Sequence, residues 1–515
     1  MAKRKLKRLL LLTPPFVQTN TPYPATMHLT GFLRERGVEV FQRDLSIKVV
    51  RDILLEYGDE TTDELLELLS GNAPAENKMA ASEIIDELAL AIRDEVDPCF
   101  GFSRYAERIS ANAANFSNVE KLIRRRGIMD EPLERHLEAA IEETRPDVIG
   151  VTCPFPGTLV AAFKIAQYVR RNYPKIKLLL GGGFVSTELR DMNDERAKKY
   201  FDAFQFDEGY AGMLSLMTGL PVDEADIPLF VKPSYDGIEW SEYFDVVETS
   251  NPMHRLWSVG RWRKLVMSRG CYWGKCAFCD VKLPYIKCFT MPEAKAIVDA
   301  MAELGGDVHF VDEAMPPKLV KEVSEEILNR KLKCRWWGNV RFDGSWTASL
   351  TRLAARAGCI AVTGGLECAN DRLLKLMNKG ITLEGAQKAL NAFKSAGIMV
   401  HAYLMYGFPT ETEAEAFGAL KYVRDLFKAG LIDSAFWHRF ALTVHSPIAA
   451  APEKFSIIPI VSKRRGRIFC RNEIPFYEPS APDLDRIGAS LNLALQNYLE
   501  GRGLNRSMKF WQTHA

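Results

Sequence analysis

Short apolar runs alternate with amphipathic segments at the start of the chain. Arg8 to Thr13 is apolar and predicts a strand, and Met27 to Arg36 has helical periodicity that Gly37 ends. Val38 to Asp44 then predicts a second strand. The chain therefore opens as a strand-helix-strand unit.

The same alternation returns after a long helical stretch. Residues from about 46 to 143 show helical periodicity and no strand pattern, whereas Asp147 to Thr152, Leu159 to Arg171 and Lys177 to Leu180 predict strand, helix and strand. We expect residues 1–220 to form a doubly wound, Rossmann-like parallel sheet with a helical insertion. Gly181, Gly182 and Gly183 follow the last of these strands, where such a sheet binds its ligands.

A second run of strand-helix units is predicted after residue 260. Pro221 to Asp245 is rich in proline, acidic and aromatic residues without periodicity, which predicts a linker over residues 221–260. Six apolar strands then alternate with helical segments, near Lys264 to Met267, Val308 to Val311, Arg335 to Trp337, Ile360 to Thr363, Met399 to Met405 and Ser434 to Leu442. This pattern predicts a partial (β/α)6 barrel over residues 261–460, since the remaining length is short for eight units. Residues 461–515 are left as a C-terminal extension.

Charge and hydropathy exclude several classes of protein. The 515 residues include 67 basic and 66 acidic ones, and the net charge of +1 supplies no field that would attract nucleic acid or an anionic membrane. No apolar run approaches the roughly 18 residues of a membrane span. The basic, leucine-rich start resembles a signal peptide, but its apolar run is short and Pro14 and Pro15 follow it. We expect a cytoplasmic protein with neither nucleic acid nor membrane as partner.

Two further patterns concern charge and cysteine. The basic run from Lys463 to Arg467 is typical of a solvated loop, with contact to an anionic substrate as the alternative.

Ten cysteines in a chain of this type are more typical of metal ligands or buried thiols than of disulfides. Three of them fall within nine positions, in the run Ser-Arg-Gly-Cys-Tyr-Trp-Gly-Lys-Cys-Ala-Phe-Cys that ends at Cys279.

This loop follows the first predicted strand of the second region, and its three thiolates can converge on one inorganic centre. Cys271, Cys276 and Cys279 could hold three corners of a four-iron cluster, which leaves one iron for the amino and carboxylate groups of S-adenosylmethionine (SAM). The alternative is a structural zinc site in which Cys288 is the fourth ligand. A cysteine loop at the carboxyl end of a parallel strand favours the cluster.

The loop resembles the signature of the radical SAM superfamily, a C-x3-C-x2-C motif with an aromatic residue before the last cysteine. Here the first gap has one residue more, and Phe278 is the aromatic residue. Further resemblances occur in chain order at Val311 to Glu313, Trp337 to Asp343, Gly364 to Glu367, Met377 to Gly380 and Gly407 to Thr412.

The resemblance implies a function and site residues. It implies a 4Fe-4S cluster on the three cysteines, bound SAM, and an external one-electron donor of flavodoxin or ferredoxin type. The remaining implied cofactor contacts are Phe278, Asp312 or Glu313 near the SAM amino group, and Arg341 and Glu367 near its carboxylate or ribose. A buried ion pair is the alternative role for the last two.

The N-terminal region resembles the cobalamin-binding domain that precedes the radical SAM core in one large class. The matching pieces are Thr13 to Phe16, Gly181 to Ser186 and Asp207 to Tyr210. The histidines before residue 250 are His28 and His136, and neither lies in the Asp-x-His-x-x-Gly context that ligates cobalt in some cobalamin folds. The alternative is a domain that keeps the fold without cobalamin.

Three hypotheses follow from these patterns. The first is a radical SAM enzyme that methylates or rearranges an unreactive carbon of a small-molecule or peptide substrate with the help of cobalamin. The second is a radical SAM enzyme without cobalamin. The third is a non-catalytic scaffold in which zinc holds Cys271, Cys276, Cys279 and Cys288.

Overall fold

The computed structural model describes residues 8–111, 113, 115–460, 468–471 and 473–513. The chain divides into two compact units. Unit 1 comprises the described residues of Met1–Ser250, Ser258–Arg261 and Arg464–Arg471, and unit 2 those of Asn251–Trp257, Trp262–Lys463 and Asn472–Ala515. The basic run expected as a solvated loop lies outside the described residues. No helix in the described part of the chain is both long and apolar enough to cross a membrane.

Unit 1 is built on a parallel five-stranded sheet with the order β2-β1-β3-β4-β5. Leu10 and Leu12 of β1 belong to one hydrophobic cluster and Leu9 and Leu11 to another, so both faces of the strand are buried. A continuous apolar run is the pattern expected of such a strand. The chain reverses its direction of winding between β1 and β3, and the predicted doubly wound sheet is confirmed. The strands are β1 Arg8–Thr13, β2 Glu39–Asp44, β3 Val148–Thr152, β4 Lys177–Gly181 and β5 Ala203–Phe204.

Helices cover the sheet of unit 1, and six of those described lie between β2 and β3. Leu54, Leu66 and Ile85 from this stretch share a buried cluster with Leu10 and Leu12, which packs the insertion against one face of the sheet. The helices are α1 Ala25–Arg34, α2 Leu45–Tyr57, α3 Thr62–Ser70, α4 Ala75–Glu95, α5 Glu107–Ala111, α6 Ser117–Arg124, α7 Asp130–Thr144, α8 Leu159–Asn172, α9 Gly183–Thr187, α10 Glu195–Lys198 and α11 Tyr210–Thr218. Short 3₁₀ helices span Pro156–Thr158, Glu224–Asp226 and Trp240–Glu242.

Of the segment expected to be a linker, residues 221–250 and 258–260 belong to unit 1 and residues 251–257 to unit 2. Tyr243 and Phe244 are fully buried in the core of unit 1. Asp245 forms a buried ion pair with Lys78 at 2.5 Å and a second with Arg261 at 2.6 Å. The ion pair with Lys78 joins this end of the segment to the helical insertion.

Unit 2 is built on a parallel six-stranded sheet in which each strand pairs with the next one along the chain. This sequential order, with a helical connection after each strand, is barrel winding carried through six strands, and the predicted partial barrel is confirmed. The strands are β6 Arg263–Leu265, β7 Val308–Phe310, β8 Trp336–Val340, β9 Cys359–Glu367, β10 Met399–Tyr406 and β11 Ser434–Arg439, and a separate antiparallel pair consists of β12 Ile458–Pro459 and β13 Phe476–Tyr477.

Helices of unit 2 connect the strands and follow the last of them. Thr412 and Glu415 form a reciprocal capping box at the start of the helix Glu413–Lys428, which satisfies backbone N–H groups there. The helices are α12 Pro252–Ser258, α13 Pro284–Lys287, α14 Ala294–Leu304, α15 Pro317–Asn329, α16 Ala348–Arg356, α17 Asp371–Leu376, α18 Leu383–Ser395, α19 Glu413–Lys428, α20 Pro447–Ala450, α21 Leu484–Leu499 and α22 Met508–Thr513, with a 3₁₀ helix at Pro452–Phe455.

Candidate functional site

A cavity of about 360 Å³ lies at the carboxyl edge of the unit 2 sheet, within the size range of small-molecule sites. The three cysteines of the predicted cluster loop all line it. Of the other residues predicted from the sequence to contact the cofactors, it is lined by Phe278, Glu313, Arg341 and Glu367. The structure therefore brings together residues that lie in β8 and β9 or follow β6, β7 and β8.

Asp312 lies beside the cavity and holds the cysteine loop. Its carboxylate accepts hydrogen bonds from the backbone N–H groups of Met267 and Ser268, at 2.8 and 2.6 Å, and from the Ser268 hydroxyl at 2.8 Å. Burial raises the pKa of Asp312 to about 6, although these hydrogen bonds oppose the shift. Asp312 thus anchors the start of the loop, and its neighbour Glu313 reaches the cavity.

Residues 377–380 follow α17 and form hydrogen bonds with the cysteine loop, and we call this stretch the latch. Ala277 N–H donates to the Met377 carbonyl at 2.7 Å, and Trp273 Nε1 donates to the Asn378 carbonyl at 2.8 Å. Gly380 has a φ of 73°, and a Cβ atom there would lie 2.2 Å from the Trp273 ring. Glycine is therefore required where the loop crosses this stretch.

Two cations lie close to the thiols. Arg341 Nη1 is 3.9 Å from Cys276 Sγ, and its guanidinium lies 4.9 Å from the centre of the Trp273 ring. The Cys279 thiol donates a hydrogen bond to Cys276 and, together with the charges of Lys379 and Arg341, outweighs burial and lowers the pKa of Cys276 to about 6. A thiolate is the form that binds iron.

Lys379 was not singled out from the sequence as a site residue. Its Nζ donates to Glu367 Oε1 at 2.7 Å in an ion pair that is almost fully buried. Burial alone would lower the pKa of Lys379, but the charges of Glu367 and Cys276 outweigh it and raise that pKa. Of the two roles considered for Glu367, the structure provides the buried ion pair and places it in the cavity wall.

The cavity has donors and acceptors that suit a zwitterion. Arg341 is buried; its Nε lies 3.8 Å from the Asp343 carboxylate in an ion pair but has no hydrogen-bond partner among the described residues. Burying such a donor is costly unless a ligand accepts its hydrogen bond. Glu313 offers a carboxylate whose pKa is raised by desolvation. A bound amino acid group could therefore place its carboxylate against Arg341 and its ammonium against Glu313.

The four cysteines of the zinc alternative do not come together. Cys288 is exposed and is not among the residues lining the cavity. In the described part of the chain, no three His, Cys, Asp or Glu side chains are grouped closely enough to hold a single metal ion. Cys271, Cys276 and Cys279 instead line one cavity, which fits a cluster whose iron atoms are spread over several corners.

The carboxyl edge of the unit 1 sheet has different features. Thr13 ends β1 and Thr152 ends β3, each one position beyond the paired residues Leu12 and Val151. Both threonines are buried, and neither hydroxyl has a hydrogen-bond partner among the described residues. Two orphaned hydroxyls at the point where the winding reverses fit a polar organic ligand at this edge.

Gly182, predicted as a cofactor contact, is also required by the packing of unit 1. Its φ is 110°, and a Cβ atom there would lie 2.6 Å from the carbonyl oxygen of Cys153. Gly181 and Gly183 have more room, with nearest contacts of 3.4 Å to Gln205 and 3.2 Å to the Pro154 carbonyl. Replacing Gly182 would therefore disturb the fold itself, and a test of ligand binding needs other positions.

His136 has a partner within the helical insertion. Its Nε2 lies 2.5 Å from the carboxylate of Asp52, which joins α7 to α2. His28 is buried in α1. These positions are consistent with structural roles for both histidines.

Comparisons with known proteins agree with this geometry. Residues 265–423 match the family model of the Radical SAM superfamily. An uncharacterized methyltransferase, PH0819 of Pyrococcus horikoshii, is 22% identical over 336 residues, which cover 58% of this chain and 69% of that protein.

Solved structures share the fold over nearly the whole chain. The radical SAM methyltransferase TsrM of Kitasatospora setae, solved with cobalamin and a 4Fe-4S cluster, matches with a TM-score of 0.55 and 16% identity, covering 96% of this chain and 89% of TsrM. The cobalamin-dependent SAM radical enzyme OxsB, solved with aqua-cobalamin and SAM, matches with a TM-score of 0.55 and 14% identity, covering 96% of this chain and 67% of OxsB. The cysteine loop and the six-stranded partial barrel thus lie in the part of the chain that is similar to the radical SAM superfamily.

Proposed function

We propose that this protein is a radical SAM enzyme that uses a 4Fe-4S cluster and cobalamin to methylate an unreactive carbon of its substrate. The observation that carries the proposal is the single cavity lined by Cys271, Cys276 and Cys279 together with Glu313 and Arg341. Cobalamin is supported by the fold shared with TsrM and OxsB and by the two buried threonine hydroxyls in unit 1.

When bound, the cluster would supply the electron that cleaves one SAM into methionine and a 5′-deoxyadenosyl radical, which would take the hydrogen of the substrate carbon, and cobalamin would supply a methyl group taken from another SAM. The protein residues would position the cysteine loop and SAM and shield the thiols from water. Asp312 and the Met377 to Gly380 stretch hold the cysteine loop in place. Arg341 and Glu313 would orient the carboxylate and ammonium of SAM, and Phe278 would shield the thiols from water.

The ion pair of Glu367 and Lys379 has a positioning role. It joins the end of β9 to the latch that holds Trp273, and it keeps a positive charge near the thiols. That charge would help offset the negative charge of a thiolate-bound cluster.

Rearrangement of a substrate carbon, and radical chemistry without cobalamin, are the alternative activities. The external electron donor of flavodoxin or ferredoxin type and a small-molecule or peptide substrate also remain part of the proposal. TsrM and OxsB differ in the activity stated for them: TsrM is called a methyltransferase, whereas OxsB is called only a radical enzyme. The carboxyl edge of the unit 1 sheet is compatible both with methylation and with rearrangement of the substrate carbon.

Anaerobic reconstitution with iron and sulfide tests the proposal. We expect a brown protein with about four iron atoms per chain that forms 5′-deoxyadenosine from SAM when reduced. Added hydroxocobalamin should remain bound after gel filtration and show its sharp absorption bands. A colourless protein that binds zinc would contradict the enzyme assignment. SAM cleavage without cobalamin uptake would leave a radical SAM enzyme that does not use cobalamin.

A further inference from the structure

Three rings form an exposed strip at the open edge of the unit 2 sheet. Tyr403 lies on β10 and Phe436 and His438 on β11, and we call these residues the aromatic strip. Tyr403 is 37% exposed, Phe436 is 51% exposed and His438 is also exposed. Exposed apolar surface of this kind is typical of a site that binds something.

The strip is continuous with the cofactor cavity. Tyr403 lines the cavity together with Gly365, its neighbour on β9, and it pairs with Phe436 on the other side. Residues that alternate with the strip on β11, Ala435 and Trp437, are buried. Because successive side chains of a strand point to opposite faces, Phe436 and His438 share the face of the sheet that carries the cavity.

The rings are close enough to form one surface. The ring centres of Phe436 and His438 are 4.5 Å apart, and those of Tyr403 and His438 are 6.0 Å apart. Below Tyr403, the His401 ring lies 4.7 Å away, and its Nδ1 is 2.8 Å from the Ser434 hydroxyl. His401 therefore supports Tyr403 from within the barrel.

The chemistry of the strip differs from that of the cavity. The cavity walls carry the Arg341 and Lys379 cations and the Glu313 and Glu367 carboxylates. The strip instead presents two uncharged rings, Tyr403 and Phe436, and an imidazole, His438, whose pKa desolvation lowers. A flat ring can stack on Phe436 and Tyr403, and the imidazole can exchange a hydrogen bond with a hydroxyl or ring nitrogen.

We propose that the aromatic strip binds the substrate and selects a flat, uncharged ring system, placed at the mouth of the cofactor cavity. The inference rests on the proposed function and adds a substrate class to it. A ring stacked on Tyr403 would lie next to the cavity in which SAM is expected to bind. Phe436 and His438 are then residues that determine specificity.

Binding of two bicyclic probes tests the proposal. Naphthol is flat and aromatic, whereas decahydronaphthol has the same carbon skeleton and hydroxyl but a puckered, saturated ring. We expect the reconstituted wild-type protein to bind naphthol more tightly in saturation-transfer NMR titrations. Phe436→Leu and His438→Leu should each weaken naphthol binding by about fivefold, within the range measured for aromatic ring pairs, and should leave decahydronaphthol binding nearly unchanged.

Tyr477→Leu is the matched control. Tyr477 is 58% exposed on β13 of the same unit, so this variant also removes an exposed ring. It should bind naphthol as the wild type does. Iron content and near-ultraviolet circular dichroism check that all three variants keep the cluster loop and the fold.

Three results would overturn the inference. They are equal affinity of the wild type for the two probes, unchanged naphthol binding in both strip variants, and an equal loss of binding in Tyr477→Leu. Failure of the proposed function has a different signature. In that case the wild type would bind naphthol through Phe436 but would assemble no cluster and cleave no SAM.

Discussion

The carboxyl edges of the two parallel sheets differ in chemistry. In unit 2 this edge collects thiols, carboxylates and cations around one cavity. In unit 1 the adjacent strands β1 and β3 end in Thr13 and Thr152, whose buried hydroxyls have no hydrogen-bond partner among the described residues. The first arrangement suits an inorganic cluster and a zwitterion, and the second suits a large organic ligand held by shape and a few hydrogen bonds. Two parallel sheets built from strand-helix units thus differ in the side chains at their carboxyl edges.

The largest expected effect comes from the thiols of unit 2. Replacing Cys271, Cys276 and Cys279 together by alanine should abolish cluster assembly and SAM cleavage, because all three are proposed iron ligands. Iron analysis and 5′-deoxyadenosine formation after anaerobic reconstitution measure both losses. Full iron loading of the triple variant would contradict the assignment.

Cys288→Ala is the control for the three thiols. Cys288 is exposed and is not among the residues lining the cavity, so its removal should leave iron loading unchanged. Loss of the cluster in this variant alone would favour a site with four protein thiolates.

The next effect concerns the buried charges that distinguish the edge in unit 2. Lys379→Met leaves the Glu367 carboxylate buried without its cation, and we expect a loss of about 3–5 kcal/mol in the free energy of unfolding. Urea unfolding of the apo protein measures it. The double variant Lys379→Met, Glu367→Met should recover most of the stability, since it leaves no unpaired charge.

Lys388→Met provides a surface comparison. Lys388 pairs with Glu384 at 2.6 Å, but both side chains are more than 70% exposed. Little change in stability is expected, because exposed ion pairs contribute little. If both lysine variants lost the same stability, burial would not be what distinguishes the Glu367 pair.

A smaller effect is expected at the turn in unit 1. Gly182→Ala adds a Cβ atom 2.6 Å from the Cys153 carbonyl at a φ of 110°, which should cost about 2–3 kcal/mol in the free energy of unfolding. Gly37→Ala is the comparison at a positive φ, 73°, without an overlap, because nothing lies within 4 Å of its Cβ position. Urea unfolding should show a smaller loss for Gly37→Ala. Equal losses would mean that the overlap with Cys153 relaxes at little cost.

Local pattern accounts for much of the fold and fails where the signal is short. β1 spans Arg8–Thr13 as predicted, because a run of leucines buried on both faces is unambiguous. β5 was missed, since Ala203–Phe204 is only two residues long and has no alternation. Residues 221–250 looked like a linker by composition, yet burial of Tyr243 and Phe244 depends on partners that are distant in sequence.

In the candidate site, too, the sequence did not predict contacts between residues that are distant along the chain. The three cysteines were predicted because they are close in the chain and their chemistry is specific. Asp312 and Glu313 are adjacent, and sequence alone did not tell which one faces the cavity and which one holds the loop. Lys379 lay in a stretch recognised from the family, but its pairing with Glu367 arises only when β9 and the latch meet.

The smallest expected effect most directly tests the edge of unit 1. Thr152→Val keeps the shape of the side chain and removes a buried hydroxyl that has no partner among the described residues. If cobalamin accepts or donates a hydrogen bond there, its affinity should fall by about tenfold, whereas the stability of the apo protein should not decrease, because a buried unsatisfied group is lost. Hydroxocobalamin titration and urea unfolding measure the two quantities, and Thr13→Val should behave in the same way. A structural hydroxyl would instead lower the stability when removed. Unchanged cobalamin affinity in both variants would mean that neither threonine forms a hydrogen bond with cobalamin. The two hydroxyls without partners would then not be evidence for a ligand at the carboxyl edge of the unit 1 sheet.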